Sequence, residues 1–303
     1  MPAITGNFGD LLDPRFQEIF NDEYDRLPDL KDKLHGSMTA KLYTERLSSV
    51  GTLPTAGQFT GTLAYNDVAQ GYDVTVTPLE FAQGFSIQRR LFDTDQFDIM
   101  NSKPKALAEA MWRRIQTDAA RMWNNAFSVD TFFANNSEGV ALCSNSHTTT
   151  SGASTASGFD NLVTTALSAV AVASARIQMV GYRGDQAEPI AVMPSALLVP
   201  PDLYEIAYEI IGSKGKVDQA TNNANVHYGQ YELVEYLGFL TDTNNWLMLD
   251  MEHVKDHIKW AQAVETEFAM VEDFDTLVAS WRSYDVHGSL WRNWRAVLGG
   301  SVS

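Results

Sequence analysis

Apolar and polar positions recur with two different periods along this chain, and each change of period marks a new segment. Between Lys103 and Ala126 the apolar residues Leu107, Met111, Ile115, Ala119, Met122 and Ala126 return every three to four positions, the spacing that gathers side chains on one helix face. Ser102 stands where an N-cap is needed and Pro104 suits a first turn, so a long helix is predicted over Lys103–Ala126. Its other face carries Lys105, Glu109, Arg113 and Arg121. With five basic residues against two acidic ones over the segment, contact with DNA is one reading and an ordinary solvated face the other.

From Gly51 to Arg90 the period drops to two. Tyr72, Val74 and Val76 alternate with Asp73, Thr75 and Thr77, and Phe59, Leu63 and Tyr65 lie on an earlier segment, which together predict a long hairpin. Gly51, Gly57, Gly61, Gly71 and Gly84 weaken such a ribbon, and two strands alone are marginal in water, so it needs another surface: its own core or another copy of the chain. Before it, residues 1–35 interleave eight acidic residues with Phe8, Leu11, Phe16, Ile19 and Phe20. This segment reads either as a solvated amphipathic leader or as an arm whose apolar side, Phe16, Ile19, Phe20 and Tyr24, rests on a neighbouring subunit.

The second half is mixed. Asn135–Gly158 is rich in Ser, Thr, Asn and Gly and predicts a long mobile loop. Asp160, beside Asn161, is placed to cap a helix through Leu162, Leu167, Val170 and Ala175. Ile190–Val199 reads as a buried strand, stopped by Pro200 and Pro201, after which Leu203, Ile206, Ala207, Ile210 and Ile211 outline a helix ended by Gly212. Short strands are expected at Tyr231–Leu237, Asn245–Asp250 and Leu277–Tyr284. Strands and helices do not alternate regularly, which disfavours a doubly wound sheet and leaves an α+β fold.

Composition narrows the function. With 22 basic and 38 acidic residues in 303, the net charge of -16 argues against a dedicated nucleic-acid binder, which needs a basic face to neutralise phosphates. The single cysteine, Cys143, cannot form an internal disulfide, so folding in a reducing cytoplasm is expected. No signal peptide is visible, and the uncharged stretch Asn161–Ala175 falls short of the roughly 20 apolar residues of a membrane span.

Catalytic signatures are weak. Gly212–Lys216 lacks the spacing of a phosphate loop and follows a helix rather than a strand. His253 and His257 could share a metal on a helix, but the His-Glu-x-x-His order is absent and Met251, Val254, Ile258 and Trp260 favour a strand. Cys143 and His147 suggest a thiol nucleophile without an orienting third group. Glu272, Asp273 and Asp275 lack the register of a calcium loop. Trp281, Trp291 and Trp294 read as apolar anchors for a core or a subunit interface.

Several stretches stand in order along the chain: Gly139–His147, Gly158–Leu162, Leu197–Pro201 leading into a helix, Asn222 with Asn225, Leu240–Asp250, and Tyr284–Gly288 followed by Asn293–Arg295. Taken together they resemble the major capsid proteins of tailed bacteriophages, in particular the Mu-like major head subunit group. The resemblance implies an α+β chain with the Hong Kong 97-type capsid fold. Residues 1–45 would be an N-terminal arm and 46–92 the extended E-loop. Residues 93–189, with 265–290, would form a peripheral domain around the long spine helix, and 190–264, with 291–303, an axial domain around which five or six copies meet.

By the same resemblance the function is assembly, with no catalysis, cofactor or metal. Copies of the chain would form hexamers and pentamers of an icosahedral head enclosing double-stranded DNA without sequence-specific binding or a membrane, the protein being made in the bacterial cytoplasm and ending in the virion. A separate scaffolding protein and a portal protein are implied partners, and a decoration protein is left open. Expected intersubunit contacts are Phe59, Tyr65 and Tyr72 on the ribbon, Arg89 and Arg90 at its base, and Phe16 and Phe20 on the arm. No lysine occurs between Lys41 and Lys103, so a lysine crosslink from the E-loop is not available. Alternatives are an encapsulin-type compartment shell, a metal-dependent hydrolase using His253 and His257, and an adhesion or tail protein suggested by the Ser/Thr-rich loop.

Overall fold

The computed structural model describes residues 9–63, 65–88, 98–215, 224–236, 238–273 and 275–302. Helix α1 (Gly9–Arg26) and the short α2 (Lys31–Leu34) lead into β1 (Gly36–Thr39). Strands β2 (Glu45–Val50), β3 (Gln70–Val76) and β4 (Leu79–Gln88) follow, then the long helix α3 (Asp98–Asn124) and β5 (Ala134–Asn136). The second half runs β6 (Leu162–Val163), α4 (Ala169–Val180), β7 (Ala196–Val199), α5 (Tyr204–Gly212), β8 (Glu232–Glu235), β9 (Trp246–Leu249), α6 (Met251–His257), β10 (Ile258–Asp273), β11 (Val278–Trp291) and β12 (Val297–Gly300).

The apolar stripe predicted for the long helix is where the sequence placed it: Leu107, Met111, Ile115, Ala119, Met122 and Ala126 are all buried. The helix begins earlier, at Asp98, because Met100 continues the stripe and packs with Phe16 and Trp281. Pro104 therefore lies inside α3, and Ser102 is a helical residue, not the cap. At 27 residues α3 is about 40 Å long. It packs across β11 and β4, with α1 beside it.

Three sheets surround this spine. A four-stranded sheet has the order β1-β10-β11-β4, with β1 parallel to β10 and the rest antiparallel. A five-stranded sheet, β6-β12-β9-β7-β8, holds the main core, and a three-stranded sheet, β2-β3-β5, packs on β11. In the five-stranded sheet every residue of β7, β9 and β12 is buried. Glycine is required in β12 by packing: a Cβ on Gly300 would sit 2.3 Å from Trp246 Nε1, and one on Gly299 2.5 Å from the Phe127 ring.

Several sequence expectations shift. The predicted 51–90 hairpin divides: β3 pairs back onto β2, whereas β4 joins β11, since Phe85 and Ile87 are needed against Trp281. The helix expected after Asp160 starts only at Ala169, capped by the Ser168 side chain. Asn161 is otherwise engaged: fully buried, it donates to the carbonyls of Leu142 (2.8 Å) and Val297 (3.1 Å) and accepts from Ser144 N (2.7 Å). Residues 162–180, grouped with the spine helix from sequence, pack on the five-stranded sheet. Only Ala196–Val199 of the expected 190–199 strand pairs into a sheet, and the strand expected to end at Tyr284 runs on to Trp291.

The Ser/Thr-rich segment is tied down by its own hydroxyls rather than free. Thr150 Oγ1 donates to Gln70 O (2.7 Å) and Thr149 Oγ1 to Asp185 O (3.0 Å). Short polar side chains replace a regular ladder here, satisfying backbone groups one by one.

Candidate functional site

The β2–β3 ribbon is fixed firmly at its base and carries its apolar side chains into solvent beyond it. Val74 and Val76 point inward and pack with Ala40, Ala261 and Leu290. On the other face Arg46 pairs with Asp73, whose carboxyl is held below its usual range chiefly by that contact. Ser49 Oγ donates to Tyr72 O (2.7 Å), the Tyr72 hydroxyl bonds Thr148 Oγ1 (2.6 Å), and Asp73 N donates to Ser137 Oγ (2.8 Å). Past the Gly51 N to Ala69 O bond (2.9 Å) regular structure stops.

Of the 21 large apolar side chains that the described residues expose, eight fall between Leu42 and Val68: Leu42, Tyr43, Val50, Leu53, Phe59, Leu63, Tyr65 and Val68. Tyr65 is 90% exposed and Phe59 70%. So dense a run of exposed apolar side chains, three of them aromatic, marks an interaction surface rather than scattered surface hydrophobics.

The candidate contact residues divide accordingly. Phe59 and Tyr65 stand free on the ribbon, while Tyr72 is half-buried and bonded to Thr148 of its own chain. Arg89 and Arg90 lie outside the described residues. Phe16 and Phe20 correct the expectation of an arm on a neighbour: both are buried against their own chain, Phe16 edge-on to Trp281 (5.2 Å) and Phe20 against Phe268 (4.9 Å). Spacing alone exposes a sticky helix face but not its partner, here the β10–β11 hairpin distant in sequence. Leu42, Tyr43 and Leu53 were missed; the signal available was their lack of any alternating or helical period.

The chemical candidates come apart. His253 and His257 do sit on a helix, not the favoured strand, with ring centroids 6.0 Å apart. His253 Nδ1 bonds Asp250 Oδ2 (2.9 Å), the carboxylate that caps the helix, and burial together with His253 pushes His257 down to about 4. Among the described residues no three His, Cys, Asp or Glu side chains gather as metal ligands. Burial pushes the Cys143 thiol up, opposite to a nucleophile. His147 stacks on Trp294 (4.4 Å) and bonds Glu138 Oε1 (3.0 Å). Asp273 ties the β10–β11 turn, accepting from Asp275 N (3.1 Å) and Thr276 Oγ1 (2.7 Å).

A buried polar seam, not anticipated from sequence, joins α3 to the four-stranded sheet. His287 on β11 donates from Nε2 to Asp118 Oδ2 of α3 (3.0 Å) and from Nδ1 to Asp285 Oδ1. Arg114 Nε also reaches Asp118 (2.7 Å), and Gln262 Nε2 (2.9 Å) and Thr266 Oγ1 (2.8 Å) complete Asp285. Trp260 and Phe81 sandwich the imidazole at 4.5 and 4.6 Å. Burial opposes charge on His287, yet the bonds to Asp118 and Asp285 outweigh it and hold the ring above its usual value. The register of β10 against β11 shifts opposite Asp285, where a bulge turns Thr266 toward that carboxylate.

A long spine helix across a sheet, a second sheet with its own core and an extended apolar ribbon together define a Hong Kong 97-type shell subunit. The fold matches solved structures of that kind. A chain in the asymmetric unit of the bacteriophage PhiM1 mature capsid aligns with a TM-score of 0.58 at 11% identity, covering 91% of this chain and 88% of that one. The capsid of an empty GTA particle gives 0.54 at 11% identity, covering 91% of each. A virus-like particle from Pyrococcus furiosus gives 0.52 at 8% identity, covering 95% of this chain and 98% of that one. No curated protein matches by sequence.

The family model described as phage capsid protein matches residues 71–299, and the chain belongs to that family. It is a phage capsid protein, a structural protein of the virion, which overturns the hydrolase alternative.

Proposed function

We propose that the chain assembles, with a separate scaffolding protein and around a portal protein, into hexamers and pentamers of an icosahedral head that encloses double-stranded DNA. Within the family we place it in the Mu-like head subunit group, on the order and spacing of the segments from Gly139 to Arg295. Residues 1–45 serve as the arm and 46–92 as the E-loop. The sheet crossed by α3 is the core of the peripheral domain, and the five-stranded sheet that of the axial domain.

The observation that carries this reading is the ribbon: anchored by Val74 and Val76, it holds Leu53, Phe59, Leu63 and Tyr65 in water. Laid across an adjacent subunit, those side chains leave water, and backbone pairing and apolar area join the copies. Each contact can be weak because every subunit repeats it. The acidic balance keeps the inner wall from gripping phosphates. Without a lysine on the ribbon, shell strength comes from noncovalent contacts or from a decoration protein.

Electron microscopy of the protein, alone and co-expressed with its genomic neighbours, tests the reading. Closed icosahedral particles are expected. A monodisperse small species in both preparations would overturn it, and shells packed with an enzyme rather than DNA would point to a compartment of the encapsulin kind.

A further inference from the structure

Two helix faces on the five-stranded sheet are exposed, with no apolar partner among the described residues. On α4 the buried side is Ala171, Val172, Ala175 and Met179, and the opposite side presents Val170, Ile177 and Val180 to solvent, with exposures of 71, 75 and 55%. A helix that is apolar on both sides has one side too many for a single core. The helix carries one charge, the exposed Arg176, which makes no ion pair with any described residue.

On α5, Ala207, Ile210 and Ile211 face inward, and the outward arc is Tyr204, Glu205, Tyr208 and Glu209. The two tyrosines stack at 6.3 Å, giving a flat apolar strip edged by two carboxylates that likewise form no ion pair with described residues. The faces are complementary: aliphatic with a cation on α4, aromatic with two anions on α5. They sit over neighbouring strand pairs of one sheet, since α4 packs on β9 and β12 and α5 on β7 and β8, in the order β6-β12-β9-β7-β8.

We propose that the α4 face of one copy docks on the α5 face of the next, with Val170, Ile177 and Val180 against Tyr204 and Tyr208, and Arg176 between Glu205 and Glu209. This rests on the capsid reading and specifies which surfaces close a capsomer. A contact that joins unlike faces is head to tail, so it propagates around a ring instead of stopping at a dimer. The tyrosines supply broad contact area with few rotatable bonds. The ion pair sets the direction, because α4 against α4 or α5 against α5 would oppose like charges.

The test uses the full chain under conditions in which the wild type forms shells, reading shell yield by sedimentation and microscopy and the subunit fold by circular dichroism. Arg176→Glu and Ile177→Asp are each expected to lower shell yield at least tenfold with an unchanged spectrum, as both positions are exposed. Glu205→Arg with Glu209→Arg should do the same. Combining Arg176→Glu with the two arginines, which reverses the pair, is expected to restore shells. Wild-type yield from Ile177→Asp, or no restoration by the combined variant, would overturn the docking while leaving the capsid reading intact. Absence of shells from the wild type under every condition would instead overturn the capsid reading.

Discussion

Strands β7, β9 and β12 of the five-stranded sheet are buried along their whole length and carry no ionisable side chain. Strand β11 of the four-stranded sheet, by contrast, buries Ser283, Asp285, His287 and Ser289. The first sheet is held by apolar burial, a driving force that is insensitive to pH. The second is held to α3 by charge-assisted hydrogen bonds that only one register of the β10–β11 hairpin satisfies. One core therefore supplies bulk stability, and the other fixes how the spine helix lies on its sheet.

Substitutions in the two regions should separate these roles. Trp246→Ala removes a fully buried indole from the apolar sheet and is expected to cost about 4 kcal/mol in urea denaturation of the unassembled subunit, equally at pH 6 and pH 9. A strong pH dependence of that loss would break the contrast. In the seam, Asp285→Ala removes one hydrogen-bond acceptor each from His287, Gln262 and Thr266 and should cost about 3 kcal/mol.

His287 gives the sharper test. Its folded-state value is raised, so its contribution is complete below the unfolded value of about 6.5 and is lost as pH rises through the folded one. Wild-type stability should fall as pH is raised above neutral, and the gap between wild type and His287→Gln should narrow over the same range. A constant gap would mean that His287 is not charged in the seam. Smallest in stability is the paired change Phe59→Ser and Tyr65→Ser on the ribbon, expected to alter subunit unfolding by under about 0.5 kcal/mol while abolishing shells.

The apolar sheet was the more legible region. Leu197–Val199 and Trp246–Leu249 are continuous apolar runs, and α3 has a clean stripe, so both could be read from local sequence. The seam could not, because Asp118, Gln262, Asp285 and His287 are ordinary polar residues until a tertiary contact 169 positions long brings His287 to Asp118. The ribbon was half legible: Tyr72, Val74 and Val76 gave the strand, but its partner Glu45–Val50 lies ahead of Gly51 and shows no bulky alternation. The spacing of Phe16, Ile19 and Phe20 left a solvated leader and an arm on a neighbour both open, because the actual partners of α1, Phe268 and Trp281, lie beyond the reach of any local pattern.

Strand β12, residues 297–300, sits inside the five-stranded sheet between β6 and β9 and is synthesised after every strand it joins. At translation rates of about 5–20 residues per second, β7 emerges on the order of 5–20 s before β12 can complete the sheet. During that interval Ala196–Val199 and Trp246–Leu249 are apolar strands with open edges, in a cell making many identical chains at once. The same apolar runs that make the finished subunit durable thus make the nascent one a client for chaperones, and head yield in the host should depend on that traffic.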